Sequence, residues 1–273
     1  MEVQKNNSTS PGVRHLIKLK KNLLSKNNGI CKFNVTKQSK RTGRSSITGH
    51  ITVRRRGGGT KKLYKSVIKN VKSNAFIILA IMYNSNKSSF ISFIFNPFTK
   101  ILFFTQTVTG HSVGTLIESG RFCNSNFSGN VLQLKNILAG SIINSISYKK
   151  RYSVFACSAG AYGQVIQKTD TNCKIRLPSG EIKNFLITGY VTLGIVSNTN
   201  FSSIVLGKAG KNRKLGKRPK VRGVAMNPVD HPHGGRTNGG RPSVSPWGKL
   251  TKGVKTKKCL DQNGKVASLQ NFY

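Results

Sequence analysis

Apolar residues along this chain fall into short runs separated by turn-forming clusters. "AFIILAIMY" (75–83), "FISFIF" (90–95) and "ILFFTQTV" (101–108) are divided by Asn84-Ser85-Asn86-Lys87 and by "NPFTK" (96–100). "VLQLKNILAGSIINSISY" (131–148) supplies two further strand candidates about Ala139-Gly140. "GQVIQKT" (163–169), "CKIRLP" (173–178) and "EIKNFLI" (181–187) follow, the last two joined at Ser179-Gly180. Runs of this length with Asn, Ser, Gly and Pro between them are the pattern of β-strands and turns. No stretch keeps a long 3.6-residue helical period. The pattern predicts a mostly β protein with two small barrels, over 67–127 and 128–204, with Ser158-Ala159-Gly160 closing a turn where two backbones approach.

The two ends differ. Residues 1–66 are polar and basic, with few apolar clusters; Ile51 to Val53 is a short strand candidate leading into Arg54-Arg55-Arg56 and Gly57-Gly58-Gly59. Glycines there let backbone amides come close to a phosphate, and Lys61 and Lys62 add charge on the far side. Residues 205–273 alternate Lys and Arg with Gly and Pro, as in "GKAGKNRKLGKRPKVRG" (207–223). Such a segment buries too little to fold by itself and is expected to order on a partner.

Charge identifies the kind of partner. The 273 residues hold 46 Lys plus Arg against 6 Asp plus Glu, a formal net charge of +40. Of the basic residues, 17 lie in 1–66 and 16 in 201–273, so strongly cationic ends flank a middle with a much lower density of charge. The acids stand singly at Glu2, Glu118, Asp170, Glu181, Asp230 and Asp261, too few to pair the cations internally. A polyanion is required, nucleic acid ahead of an anionic membrane. No apolar run reaches the roughly 20 residues of a spanning helix, and no membrane role is expected. Cys31, Cys123, Cys157, Cys173 and Cys259 form no Cys-x-x-Cys pair, which points to reduced thiols and away from a structural zinc site.

"GVAMNPVDHPHGGRTNGGRP" (223–242) holds the one concentration of chemistry-bearing side chains. Pro228 and Pro232 forbid a regular helix through Asp230, His231 and His233. A zinc site wants three or four protein ligands, and acid–base work by His231 needs a nucleophile and a pocket that the sequence does not supply. A metal-dependent RNA hydrolase using these three residues and a histone-like compactor are the competing readings. A rigid loop presenting imidazoles to phosphate, ribose or base edges is favoured over both. Trp247 is the only aromatic residue of the basic C-terminal segment before the last two residues, so backbone and shape recognition is expected rather than base stacking.

Several stretches, in order, carry a resemblance: "TSPGVRH" (9–15), "GHITVRRRGGGTKKLY" (49–64), "SAGAYGQVI" (158–166), "RLPSGEIK" (176–183), "LGKAG" (206–210), "RGVAMNPVDHPHGG" (222–235), "SPWG" (245–248) and "TKGVKTKK" (251–258). The chain resembles the L-two family of large-subunit ribosomal proteins over nearly its whole length. The resemblance implies an OB-fold-type barrel followed by an SH3-like barrel, with basic extensions entering ribosomal RNA. It also implies a place near the peptidyl transferase centre, neighbouring ribosomal proteins, and a bridge to the small subunit. His231 corresponds to the family's histidine important for peptidyl transfer, and an RNA-organising role is expected of it. No cofactor is expected beyond magnesium ions held by the RNA.

The residues expected at RNA are Arg54, Arg55, Arg56, Gly57, Gly58, Gly59, Lys61 and Lys62 in the first arm. In the second arm they are Lys208, Lys211, Arg213, Lys214, Lys217, Arg218, Lys220, Arg222, Asn227, Asp230, His231, His233, Arg236, Arg241, Trp247, Lys249, Lys252 and Lys255. Cys157 stands where the family has arginine, and "CLDQNGKVASLQNFY" lacks its basic tail. The Asn, Ile, Lys, Phe and Ser bias suggests an AT-rich genome, and "TSPG" beginning at residue 9 leaves little room for a presequence. Together they point to a mitochondrially encoded protein of the mitochondrial matrix, with plastid or bacterial cytoplasm as alternatives.

Overall fold

Four three-residue strands precede the first long apolar run: β1 (Val3–Lys5), β2 (Ile17–Leu19), β3 (Val35–Lys37) and β4 (Leu63–Lys65). They form two antiparallel pairs, β1 with β2 and β3 with β4. The computed structural model describes residues 3–20, 22, 24–25, 35–37, 42–68, 75–120, 127–149, 152–236 and 242–253. Contacts divide the chain into Met1–Lys217 and Arg218–Tyr273.

β5 (Ala75–Met82), β6 (Ile91–Phe95), β7 (Leu102–Gln106) and β8 (Leu116–Glu118) form a four-stranded antiparallel sheet in the order β7-β6-β5-β8. β5 begins with strict alternation: Phe76 and Ile78 point into a core while Leu79 is exposed. A bulge between Ile78 and Ala80 shifts the register, and beyond it Ala80, Ile81 and Met82 are all buried. The sheet is therefore covered on both faces. One cluster holds Phe76, Ile78, Phe103 and Ile117, the other Met82, Ile91, Phe93 and Phe104. Burial of both faces explains why these strands read as continuous apolar runs.

β9 (Val131–Gln133), β10 (Ile142–Asn144), β11 (Ile146–Lys149), β12 (Tyr152–Phe155), β13 (Gly163–Lys168), β14 (Asn172–Arg176), β15 (Ile182–Leu186) and β16 (Tyr190–Leu193) make up the second block. Six of them form the sheet β15-β14-β13-β10-β16-β9, and β11 pairs with β12. Val165, Cys173, Ile175 and Phe185 alternate with exposed neighbours along β13 to β15 and join Leu132, Ile143, Ile146 and Val191 in one core. At Gly160, φ is 68° and a Cβ would lie 3.2 Å from Thr199 Cα, so the Ser158-Ala159-Gly160 turn does bring two backbones together.

Mostly β is thus the observed class. The strand expected at Ile51 to Val53 does not form. Ile51 makes only an isolated bridge to Arg44, and the Thr52 and Val53 amides both donate to the Gly43 carbonyl, at 2.9 and 3.0 Å. That pair of hydrogen bonds folds the segment into a turn, with no neighbouring strand among the described residues. Among the described residues from 205 onward, only His231 and Gly234 are buried, and the one α-helix is α1 (Ala209–Lys214), with no buried residue.

Candidate nucleic-acid interface

The glycine-rich loop and α1 meet, although about 150 residues of chain separate them. Gly57 N–H donates to Gly216 O at 3.2 Å, Thr60 N–H to Lys214 O at 3.0 Å, and Arg56 bridges Lys217. The Thr60 hydroxyl also donates to Lys214 O, at 3.3 Å. Two glycines make this possible. Gly59 has φ +107°, and a Cβ there would lie 2.9 Å from Gly216 N. Gly216, at φ +86°, ends the helix: its amide bonds Arg213 O and the Lys217 amide bonds Asn212 O, a Schellman closure. Lys211, Arg213 and Lys214 lie in the last turn, where cations complement the helix dipole.

The cations face outward. Arg54, Arg55, Arg56, Lys61, Lys208, Arg213, Lys214 and Lys217 are exposed, with Lys62 and Lys211 partly so; Gly58 and Gly59 are exposed and Gly57 is buried in the junction. Arg55 adopts φ 66°, a left-handed conformation that L side chains enter at a cost, beside the glycines it precedes. Partial burial, followed by the repulsion of Lys18 and Lys208, lowers the pKa of Lys211 below the ordinary lysine value. Like charges are thus held together by backbone bonds, and an anion would relieve them.

In the unit from Arg218 onward, 222–235 is a folded irregular loop. The Asp230 and His231 amides donate to Asn227 O at 3.0 and 3.3 Å, and Gly234 N–H donates to His231 O at 2.8 Å. His231 is 8% exposed. Its Nδ1 accepts the His233 amide at 3.0 Å, which places the proton of a neutral ring on Nε2. The two imidazoles lie 4.7 Å apart at 54°. His233 Nε2 reaches Pro242 O at 2.7 Å, tying the loop to a hairpin in which Val244 bridges Leu250 and exposed Trp247 occupies the tip. Asp230 is exposed, and the bond on His231 Nδ1 comes from the His233 amide rather than from that carboxylate.

Arg218, Lys220, Arg222, Asn227, Arg236, Lys249 and Lys252 are exposed. Arg241 and Lys255 lie outside the described residues, as do the ends of the expected 1–66 and 205–273 extensions. Among the described residues no group of three or more His, Cys, Asp or Glu could hold a metal ion. Thr60 lies within a stretch that carries the family resemblance and Lys18 outside all of them, and neither points to α1 in the sequence; only the fold brings them to it.

The sequence that builds this surface is shared with known proteins. Residues 32–119 match the family described as "Ribosomal Proteins L2, RNA binding N-terminal domain", and 127–248 match "Ribosomal Proteins L2, C-terminal domain". The chain is 41% identical over 256 residues to "Large ribosomal subunit protein uL2" of Maricaulis maris (strain MCS10), covering 92% of this chain and 91% of that one. It is 38% identical to the protein of the same name from Wolbachia sp. subsp. Drosophila simulans (strain wRi), over 92% and 93% of the two chains. The Buchnera aphidicola subsp. Cinara cedri (strain Cc) protein of that name is 41% identical, over 92% of each. The chain belongs to the L2 family of ribosomal proteins.

Proposed function

We propose that the protein is a structural constituent of the large ribosomal subunit that binds large-subunit RNA through its two basic arms and performs no chemistry of its own. The observation that carries this reading is the division of labour in the fold: sheets poorer in Lys and Arg hold the cores, and exposed cations sit on glycine-shaped backbone at Arg54–Lys62 and Lys208–Lys217. Neutralising phosphates releases counterions, so six contacts give a slope of about −4 to −5 in log K against log salt. A flat dependence of RNA affinity on salt would sink the reading.

The finer role rests on His231. Shielded from solvent and accepting a backbone amide at Nδ1, it serves as a fixed element of an RNA-organising loop near the peptidyl transferase centre. Replacing it should impair peptide-bond formation, subunit joining or tRNA positioning while the sheets stay folded. Contacts with neighbouring ribosomal proteins and an intersubunit bridge belong to the same reading, with magnesium held by the RNA. The AT-rich bias of the composition supports a mitochondrial ribosome. Locating the gene in a nuclear or bacterial genome would exclude a mitochondrially encoded origin.

A further inference from the structure

We propose that three basic segments, around Arg14–Lys18, Arg54–Lys62 and Lys208–Lys217, form one platform for the phosphodiester backbone of a folded RNA, with α1 held as its centre by close backbone contacts at both ends. The inference rests on the RNA-binding reading and adds to it that the arms act as a single site.

α1 cannot hold its own position. It has six residues, none buried, whereas isolated helices shorter than about 12 residues are marginal in water. Its placement comes from its two ends. At the start, Ile17 N–H donates to Val205 O at 3.1 Å. Gly207, at φ +76°, comes so near the first segment that a Cβ would lie 3.0 Å from Gly12 O and 3.4 Å from Leu16 Cβ. Leu16 is 6% exposed and anchors this contact. At the finish, the backbone of Gly57, Gly59 and Thr60 grips Lys214 and Gly216.

The result collects cations from distant parts of the chain. Lys18 and Lys208 both press on Lys211, so the first and third segments share one electrostatic neighbourhood. Arg14 Nε donates to His15 Nε2 at 3.1 Å, and His15 shares a groove with Lys208. An open groove lined by His15, Val205, Gly207, Lys208, Ala209 and Asn212 runs along this end of the helix. The acidic residues of the described chain, Glu118, Asp170, Glu181 and Asp230, all lie outside the three segments. What such a surface offers is side-chain charge at a fixed spacing, which suits a phosphate backbone of definite shape better than a flexible polyanion.

Gly59 and Gly207 are then positioning residues that carry no charge, and this separates the platform from simple charge attraction. The test uses the full chain and a folded RNA hairpin, with single-stranded oligouridylate and anionic phospholipid vesicles as comparisons, between about 50 and 200 mM salt. Gly59→Ala drives a Cβ into Gly216 and Lys214. Gly140→Ala, also at positive φ with nothing within 4 Å but outside the three segments, is the strain control.

Gly59→Ala should weaken hairpin binding about tenfold or more and make the salt slope shallower by about two, equal to two lost phosphates. Gly140→Ala should keep the wild-type slope. Lys211→Ala should cost several-fold less in the Gly59→Ala background than in the wild type, because the helix is already unseated. Should Gly59→Ala lose its sheet signal in circular dichroism, Gly207→Ala gives the same readings from the other grip.

A wild-type slope in a folded Gly59→Ala protein, or full additivity with Lys211→Ala, overturns the platform while leaving RNA binding intact. A flat slope in the wild type would instead remove the RNA-binding reading itself. Equal slope losses on vesicles would overturn RNA as the occupant.

Discussion

Consider Gly223→Ala, which adds one methyl group to the loop that holds His231. A Cβ at 223 would lie 2.6 Å from His231 Cε1, 2.7 Å from Nδ1 and 2.8 Å from Cγ. Carbon contacts settle near about 3.5–4.0 Å, so the ring or the backbone must give by about 0.8 Å. His231 is almost fully enclosed, and its Nδ1 holds the His233 amide at 3.0 Å. A retreat of that size along the bond would leave about 3.8 Å between the partners, beyond hydrogen-bond reach. Overpacking costs about 1–3 kcal/mol. The lost hydrogen bond adds about 0.5–1.5 kcal/mol. The His233 amide should therefore exchange with solvent at least about tenfold faster in Gly223→Ala, since about 1.4 kcal/mol is a decade in an equilibrium constant. Nitrogen NMR of labelled histidine should show the Nε2-protonated tautomer of His231 giving way to a mixture. Val229, 90% exposed, provides the control, and Val229→Ala should change neither signal. Unaltered His233 exchange and an unaltered tautomer in Gly223→Ala would refute the steric argument.

Three more outcomes follow from the cores. His111 is held below the ordinary histidine pKa by burial, partly offset by its hydrogen bond to Ser128 O, and its Nδ1 has no hydrogen-bond partner among the described residues. A base with a depressed folded-state pKa makes the unfolded chain bind more protons, so stability should fall as pH drops through the ordinary value of 6.5 toward the folded pKa. His111→Gln should flatten that part of the melting-temperature profile; an unchanged slope refutes the assignment. Cys173 sits in the second core, and burial raises its thiol pKa, with Lys168 opposing, so alkylation by iodoacetamide in the native state should reach Cys157 well before it. Equal native rates at the two would contradict this. Phe185 is 1% exposed and packs edge-on against Phe155 at 5.3 Å, and Phe185→Ala should cost about 3–5 kcal/mol in chemical denaturation.

Legibility in the sequence followed the range of the interaction. Strands such as Ile91–Phe95 and Asn172–Arg176 announce themselves because burial writes an apolar run or an alternation into neighbouring residues. The reversals at Asn96, whose Oδ1 accepts the Phe98 and Thr99 amides, and at Gly180 are readable from turn chemistry. Ile51 to Val53 misleads because β-branched residues beside a glycine turn carry strand propensity with no strand to pair. The grip of Thr60 on Lys214 leaves no trace, being made by one amide and one hydroxyl on a backbone carbonyl and by glycines chosen for what they lack. His231 stands out in the sequence, but the partner it suggests is a neighbouring carboxylate. The partner it has is a peptide N–H, which every residue but proline possesses.

The Thr60–Lys214 bond spans 154 residues, and that distance sets an order of events during synthesis. Strands of the two sheets can pair while the chain is still emerging, since their partners lie far closer in sequence than 154 residues. The grip on α1 closes only after residue 217 has cleared the exit tunnel. A product terminated early would display the first arm alone, with the glycine loop unclasped. Full engagement is thereby reserved for chains that have been translated well beyond residue 217.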